Sequence, residues 1–134
     1  MHPLFSKADA LSSQAIAAAI EVHRIKGPGL IESIYEKCMM REFELRGIPA
    51  ANQIRIVDEY KGFQYEQELR LDIILDGCLI LELKSVQQVP PIFKAKLLSY
   101  MKLLDKPVGL LLNFHETLLK DGISRLILPG ADIP

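Results

Sequence analysis

The chain has 134 residues, about half of them apolar and a quarter charged, which is typical of a globular protein with a substantial core. Its formal net charge of −1 excludes a general electrostatic attraction to nucleic acid, so any affinity for phosphate needs a local patch. No apolar run approaches the ~20 residues that cross a bilayer, and the N-terminus lacks a signal-peptide pattern. We therefore expect one cytoplasmic domain over residues 1–134, with no membrane partner.

Two amphipathic helices are predicted in the first third of the chain. Apolar residues recur at helical spacing from Asp9 to Lys26, and Gly27-Pro28 ends this first helix. A second helix is predicted from about Leu30 to Arg46, closed by Gly47. His23 lies at the edge of the first apolar face, where a packed histidine is more common than a catalytic one.

Glu32 lies in the first turn of the second helix, and two interpretations of it are open. Tyr35 and Phe43 follow at helical spacing, so Glu32 borders apolar surface rather than open solvent. In the simpler interpretation the acid favours the helix dipole, which contributes ~0.3–1 kcal/mol. In the other, Glu32 is an additional carboxylate directed at a metal ion.

Strands follow the two helices. Gln53 to Tyr60 alternates as a strand, and Lys61-Gly62 turns it into Phe63 to Tyr65. Arg70 to Lys84 then predicts two central strands joined by a turn at Asp76-Gly77.

Three charged residues interrupt the apolar runs of the central strands: Asp72, Glu82 and Lys84. Burying such groups is costly unless they pair with each other or hold a cation. We interpret them as a cation site, with a buried ion network as the alternative. A plain two-residue hairpin would place Asp72 opposite Leu81 and away from Glu82. The cation site therefore requires an odd number of loop residues, or a bulge.

A basic helix is predicted from Pro90-Pro91 to about Asp105. Its lysines are Lys94, Lys96, Lys102 and Lys106. In one interpretation they form a solvated face whose aliphatic stems cover the core. In the other they form a phosphate-facing edge, with Lys96 and Tyr100 nearest to a substrate.

The C-terminal third predicts a return to the sheet. Val108 to Phe114 reads as a buried strand reached through a helical crossover. Leu118 to Lys120 and Ile123 to Leu128 read as a closing hairpin around Asp121-Gly122. The order of elements predicts an α/β fold with a mixed sheet.

The motifs, taken together, resemble a known family. Residues 29–35 spell GxxExxY and are followed in order by Asp72, by Glu82-Leu83-Lys84, and by the segments 108–114 and 121–123. This closely resembles the small GxxExxY proteins, which are placed in the PD-(D/E)XK nuclease superfamily. The resemblance covers nearly the whole chain. It implies a single-domain, restriction-endonuclease-like core with a mixed β-sheet flanked by helices.

The resemblance also implies roles for individual residues. Asp72 and Glu82 would bind Mg²⁺ or Mn²⁺, with the backbone carbonyl of Leu83 as a third oxygen ligand. Lys84 would orient or help to deprotonate the attacking water and offset transition-state charge. Glu32 would bind the metal directly or through water. The implied chemistry is metal-assisted hydrolysis of a phosphodiester in DNA or RNA.

Two residues depart from the pattern of the family. Leu71 precedes Asp72 where the nominal motif has proline, and Lys96 stands where related sequences usually carry glutamine. Lysine can contact a phosphate but cannot accept a hydrogen bond. Lys96, Tyr100 and Lys94 would contact the substrate. The alternative function is a catalytically silent protein of nuclease fold that binds a partner or forms a homo-oligomer.

Overall fold

The computed structural model describes all 134 residues, which form three α-helices and five β-strands. In chain order they are α1 (Phe5–Lys26), α2 (Glu32–Arg46), β1 (Ala50–Tyr60), β2 (Phe63–Leu75), β3 (Leu79–Lys84), α3 (Pro91–Leu104), β4 (Val108–Asn113) and β5 (Ile123–Ile127). The strands form one sheet in the order β1-β2-β3-β4-β5, in which only β3 and β4 are parallel. This is the predicted mixed sheet. None of the helices has the length and apolar character needed to cross a membrane.

The helices cover both faces of the central strands. Leu79, Leu81 and Leu83 of β3 belong to a core that also contains residues of α1 and α2, whereas Ile80 packs with Leu97 of α3 on the other face. Helix α3 is the crossover between parallel strands β3 and β4. Because both faces are covered, these strands carry nearly continuous apolar runs, as the sequence indicated.

The predicted C-terminal hairpin is wrong. Leu119–Gly122 form a short 3₁₀ helix, and the strand that follows it pairs antiparallel with β4. A Cβ atom built on Gly122 would lie 2.4 Å from the carbonyl oxygen of Asn113, and Leu119 is buried in the core. The backbone at residue 122 thus packs against the end of β4, and this contact replaces the expected turn.

Strands β1 and β2 are longer than predicted, and they extend past the rest of the sheet. Their pairing runs from Ala50–Leu75 to Tyr60–Phe63, whereas β2 pairs with β3 only over residues 73–75. Residues 53–70 therefore form a two-stranded ribbon with no third strand on either side, and β1 is an edge strand of the sheet along its whole length. The ribbon ends at the predicted turn, where Lys61 and Gly62 both have positive φ (47° and 81°).

Candidate metal centre

The register between β2 and β3 places two acidic residues opposite each other. Ile73 pairs with Leu81 and Leu75 with Leu79, so the connecting loop contains three residues, 76–78. The same register, continued by one residue, brings Asp72 opposite Glu82. Residues opposite each other in an antiparallel pair share a face of the sheet. We call Asp72 and Glu82 the acid pair. The odd loop that the cation site required is present.

Asp72 lies where β2 separates from β3. On the side that faces β1, strand β2 has a bulge: its residues 71–73 lie opposite a single residue of β1, Asn52. The Asp72 carboxylate accepts a hydrogen bond of 2.8 Å from the backbone N–H of Leu83 and so bridges the gap between the strands. Burial raises the pKa of the Asp72 carboxyl, and the hydrogen bond from Leu83 opposes this only in part.

Glu82 is the most enclosed acid of the site. The residue is 8% exposed, and its carboxylate accepts no hydrogen bond within the chain. Its ion-pair partner is Lys84, with Nζ 3.7 Å from Oε2. Burial and the neighbouring charge of Asp72 raise the pKa of the Glu82 carboxyl. Both carboxyl groups of the acid pair thus bind their protons more tightly than usual. This indicates that the chain places too little positive charge beside them to balance two carboxylates.

Lys84 places its amine beside the acid pair. Its Nζ lies 3.7 Å from Glu82, 3.9 Å from Glu32, and 4.3 Å from the centre of the Phe93 ring, on which it makes a cation–π contact. None of these ionic contacts is short enough to be a hydrogen bond. The N–H groups of the amine therefore remain available to a water molecule or a phosphate oxygen.

Helix α2 contributes two further acidic residues, Glu32 and Glu36, near the point where β2 and β3 separate. Glu32 is the ion-pair neighbour of Lys84 and its side chain is 49% exposed. Glu36, one turn later, accepts a 3.3 Å hydrogen bond from Asn52, and its charge also raises the pKa of Asp72. Sequence reasoning missed Glu36 as a site residue, although its i, i+4 spacing from Glu32 places both on one helix face.

Helix α3 presents the residues predicted to contact a substrate. Lys96 is exposed, with Nζ 5.9 Å from the centre of the Tyr100 ring. Its charge lowers the pKa of both members of the acid pair, which places it within electrostatic range of them. Lys94 is also exposed, but no ion pair or hydrogen bond connects it to the acid pair. The structure thus brings Lys96, and not Lys94, towards the site.

The segment that follows Lys84 is fixed by the side chain of Asn113. This side chain is almost fully buried; its amide donates to the carbonyl of Val86 (2.9 Å) and accepts from the N–H groups of Val86 (3.1 Å) and His115 (3.2 Å). Next to Lys84, the hydroxyl of Ser85 is buried and has no hydrogen-bond partner. Hydrogen bonds from the Asn113 side chain thus fix the backbone that follows Lys84.

The donor set of this site fits a hard cation. No three His, Cys, Asp or Glu side chains come together as a metal cluster, so the two carboxylates of the acid pair are the side chains that could hold an ion here. Mg²⁺ is commonly held by one or two carboxylates and retains several waters. The unbonded carboxylate of Glu82 is consistent with such an ion, since its lone pairs have no donor in the protein.

His23 and the cysteines lie outside this site. His23 is buried, and its Nε2 lies 2.9 Å from the carbonyl oxygen of Glu116, so it is a packed residue as predicted. Cys78 is buried, Cys38 is half-buried, and both are free thiols.

A family model described as the PD-(D/E)XK nuclease superfamily matches residues 9–126. The matched range includes the whole sheet up to Leu126 and every residue of the site described above. The searches of curated proteins and of solved structures found no match.

Proposed function

The chain belongs to the PD-(D/E)XK nuclease superfamily, and from this premise we propose that it is a metal-dependent nuclease that hydrolyses phosphodiester bonds of DNA or RNA. Its sequence motifs further favour the GxxExxY group within the superfamily. The observation that carries the proposal is the meeting of the acid pair with Lys84 where β2 and β3 separate. We take residues 1–134 as one catalytic domain.

In this proposal the acid pair holds Mg²⁺ or Mn²⁺, and the backbone carbonyl of Leu83 and water complete its ligands. The ion would supply Lewis acidity and lower the pKa of a bound water. Asp72 is positioned by its hydrogen bond to the Leu83 N–H, and Glu82 is held by the register of β3. Their pKa values, raised in the metal-free chain, would fall once a cation neutralises them.

Lys84 would act on the water and on the phosphate. Its N–H groups are free of short hydrogen bonds, so they can donate to the attacking water and to a non-bridging oxygen that becomes more negative in the transition state. Glu32, 3.9 Å from Lys84, would bind the metal through water and balance the charge of the amine. Lys96 and Tyr100 would contact the substrate backbone from α3, with Lys94 further out.

The proposal is tested with single-stranded, duplex and branched DNA and with RNA, each in Mg²⁺, Mn²⁺ or EDTA. Cleavage should require the metal and should fall by at least ~10²-fold in Lys84→Ala and in Asp72→Ala, because each loses a group that acts in the transition state. Lys120→Ala, an exposed lysine outside the site, is the control and should cleave like wild type. Cleavage that survives in EDTA or in Lys84→Ala would refute the proposed centre.

A second function is favoured by Lys96. Its charge already offsets part of the negative charge of the acid pair, which opposes metal binding, and such a site could serve a catalytically silent binding protein. Lys96→Gln removes this charge. If metal uptake measured by calorimetry is stronger in Lys96→Gln than in wild type, and neither protein cleaves any substrate, the silent binder is the better description.

A further inference from the structure

β1 is one of the two edge strands of the sheet, and its outer side is a row of unpaired backbone groups. A two-residue turn closes with a hydrogen-bonded pair, here Tyr60 and Phe63. Bonded and non-bonded pairs alternate along an antiparallel ladder, so the residues at even positions of the ribbon direct their N–H and C=O groups to β2. Arg55, Val57 and Glu59 therefore direct theirs outward. Such an edge is a template for another strand.

The side chains of this edge are complementary to themselves in one register. If β1 pairs antiparallel with β1 of a second copy so that the two Val57 residues lie opposite each other, Arg55 faces Glu59 of the second copy, twice by symmetry. On the other face Ile54 then meets Tyr60 and Ile56 meets Asp58, each twice, so the charge complementarity lies on the face of Arg55 and Glu59. Val57, which is 67% exposed in the single chain, is covered at the centre.

Neighbouring registers lack this complementarity. In an antiparallel pair, residues opposite each other point to the same face of the sheet. Each alternative register is therefore centred on another residue of β1, and the nearest ones differ by one residue. Centring on Asp58 or Glu59 opposes two like acids, and centring on Arg55 opposes two guanidinium groups. Centring on Ile56 leaves both charges of Arg55 and Glu59 without a counter-charge in the second copy. The charge pattern thus selects Val57 as the centre.

We propose that β1 is a self-association edge, which joins two copies of this chain into one continuous ten-stranded sheet centred on Val57. About six backbone hydrogen bonds form over residues 55–59, two for each opposed pair of outward-directed residues. The two-fold axis is perpendicular to the sheet, so the acid pairs of both copies lie on the same side of the assembly. The proposal is independent of any nuclease activity.

The first test removes one backbone donor and leaves the ribbon intact. Val57→Pro deletes an N–H that β2 does not use, and proline is tolerated on an edge strand. Val57→Thr keeps the N–H and the β-branched shape and is the matched control. In sedimentation equilibrium of the full chain we expect dimers for wild type and Val57→Thr, and a weakening of association by at least ~10-fold for Val57→Pro. A monomeric wild type, or a dimer that Val57→Pro leaves unchanged, would overturn the proposal.

The second test uses the charges. Glu59→Arg opposes Arg55 of the second copy at two symmetric places, so it should weaken association. Adding Arg55→Glu to this variant reverses both pairs and should restore it. Arg55→Glu replaces two exposed intrachain ion pairs, with Glu66 at 3.4 Å and Glu68 at 3.7 Å, by like charges, whose repulsion at the surface is weakened by solvent and salt. Dimers equally tight in Glu59→Arg and wild type would show that another surface is responsible.

Discussion

If the acid pair holds a cation as proposed, the charge of Glu82 is needed to bind it, and Glu82→Gln removes that charge with little change in side-chain volume. The Glu82 carboxylate accepts no hydrogen bond and is repelled by the neighbouring charge of Asp72. When residue 82 is neutral, Lys84 still has its contacts with Glu32 and Phe93. In EDTA at pH 7.5 we therefore expect Glu82→Gln to be at least as stable as wild type, because repulsion between buried charges is relieved.

Mg²⁺ should stabilise the wild-type protein much more than Glu82→Gln. A ligand at ten times its Kd stabilises the folded state by about 1.4 kcal/mol. A chain of 134 residues unfolds with an entropy of roughly 0.28 kcal/mol per kelvin near its midpoint, so the wild-type Tm should rise by about 5 °C. The Tm of Glu82→Gln should rise by less than about 1 °C at the same Mg²⁺ concentration, since one of its two carboxylate ligands is lost.

Thermal unfolding followed by circular dichroism, in EDTA and over a series of MgCl₂ concentrations, measures both effects. Glu66→Gln makes the same change at an exposed carboxylate on the ribbon and should keep the wild-type response to Mg²⁺. An equal rise of Tm in Glu82→Gln and wild type would refute the assignment of the acid pair as the metal site. A loss of several kcal/mol in Glu82→Gln in EDTA would show instead that the carboxylate is a structural ion-pair partner.

Three further changes test the electrostatics and the packing around the site. Burial raises the pKa values of the acid pair, so without metal the folded protein binds these protons more tightly than the unfolded chain. The resulting stabilisation is complete below pH ~4 and is lost as the pH rises through the raised pKa values. In urea unfolding with EDTA, the stability advantage of Glu82→Gln over wild type should therefore grow from pH 4.5 to 7.5, and a constant difference would contradict this. Gly109→Ala should destabilise the fold by about 1–3 kcal/mol in urea unfolding, because the added Cβ would lie 2.7 Å from Sδ of Met101; an unchanged midpoint would show that α3 moves away at no cost. Tyr35→Phe should cost about 1–3 kcal/mol, because the buried hydroxyl donates a 2.5 Å hydrogen bond to the carbonyl of Gly27, and a loss below 0.5 kcal/mol would mean that water replaces it.

The elements and their order could be predicted from the sequence because local signals mark them. Gly47 ends α2 in a left-handed conformation, Lys61-Gly62 forms the turn, and the proline pair opens α3. The pattern of charge within apolar runs also indicated Asp72, Glu82 and Lys84 as one site. These inferences needed only neighbours in sequence.

The parts that could not be predicted depend on contacts between distant residues. The cation site required an odd loop or a bulge, but the sequence could not show that Cys78 leaves the ladder and is buried, which makes the loop three residues long. The charge of Glu36 acts on Asp72 only because α2 packs against β1, β2 and β3. The failure at Gly122 has the same origin: a turn signal and a close backbone contact both favour glycine, and only the position of Asn113 distinguishes them.

The hydrogen bonds of the Asn113 amide fix the backbone next to Lys84, and this determines what a substitution near the lysine can change. The amide holds the main chain beyond Lys84 from a neighbouring strand, and the ladder with β4 holds the main chain before it. Uncharged groups thus hold the backbone of Lys84 on both sides, and Asp72 is the acid that adds a hydrogen bond, to the N–H of Leu83. Glu82→Gln, at an acid that makes no hydrogen bond to this backbone, should therefore change the electrostatic field at Lys84 without moving the main chain, and if the protein cleaves phosphodiesters as proposed, its effect on the rate can be expressed as an electrostatic energy.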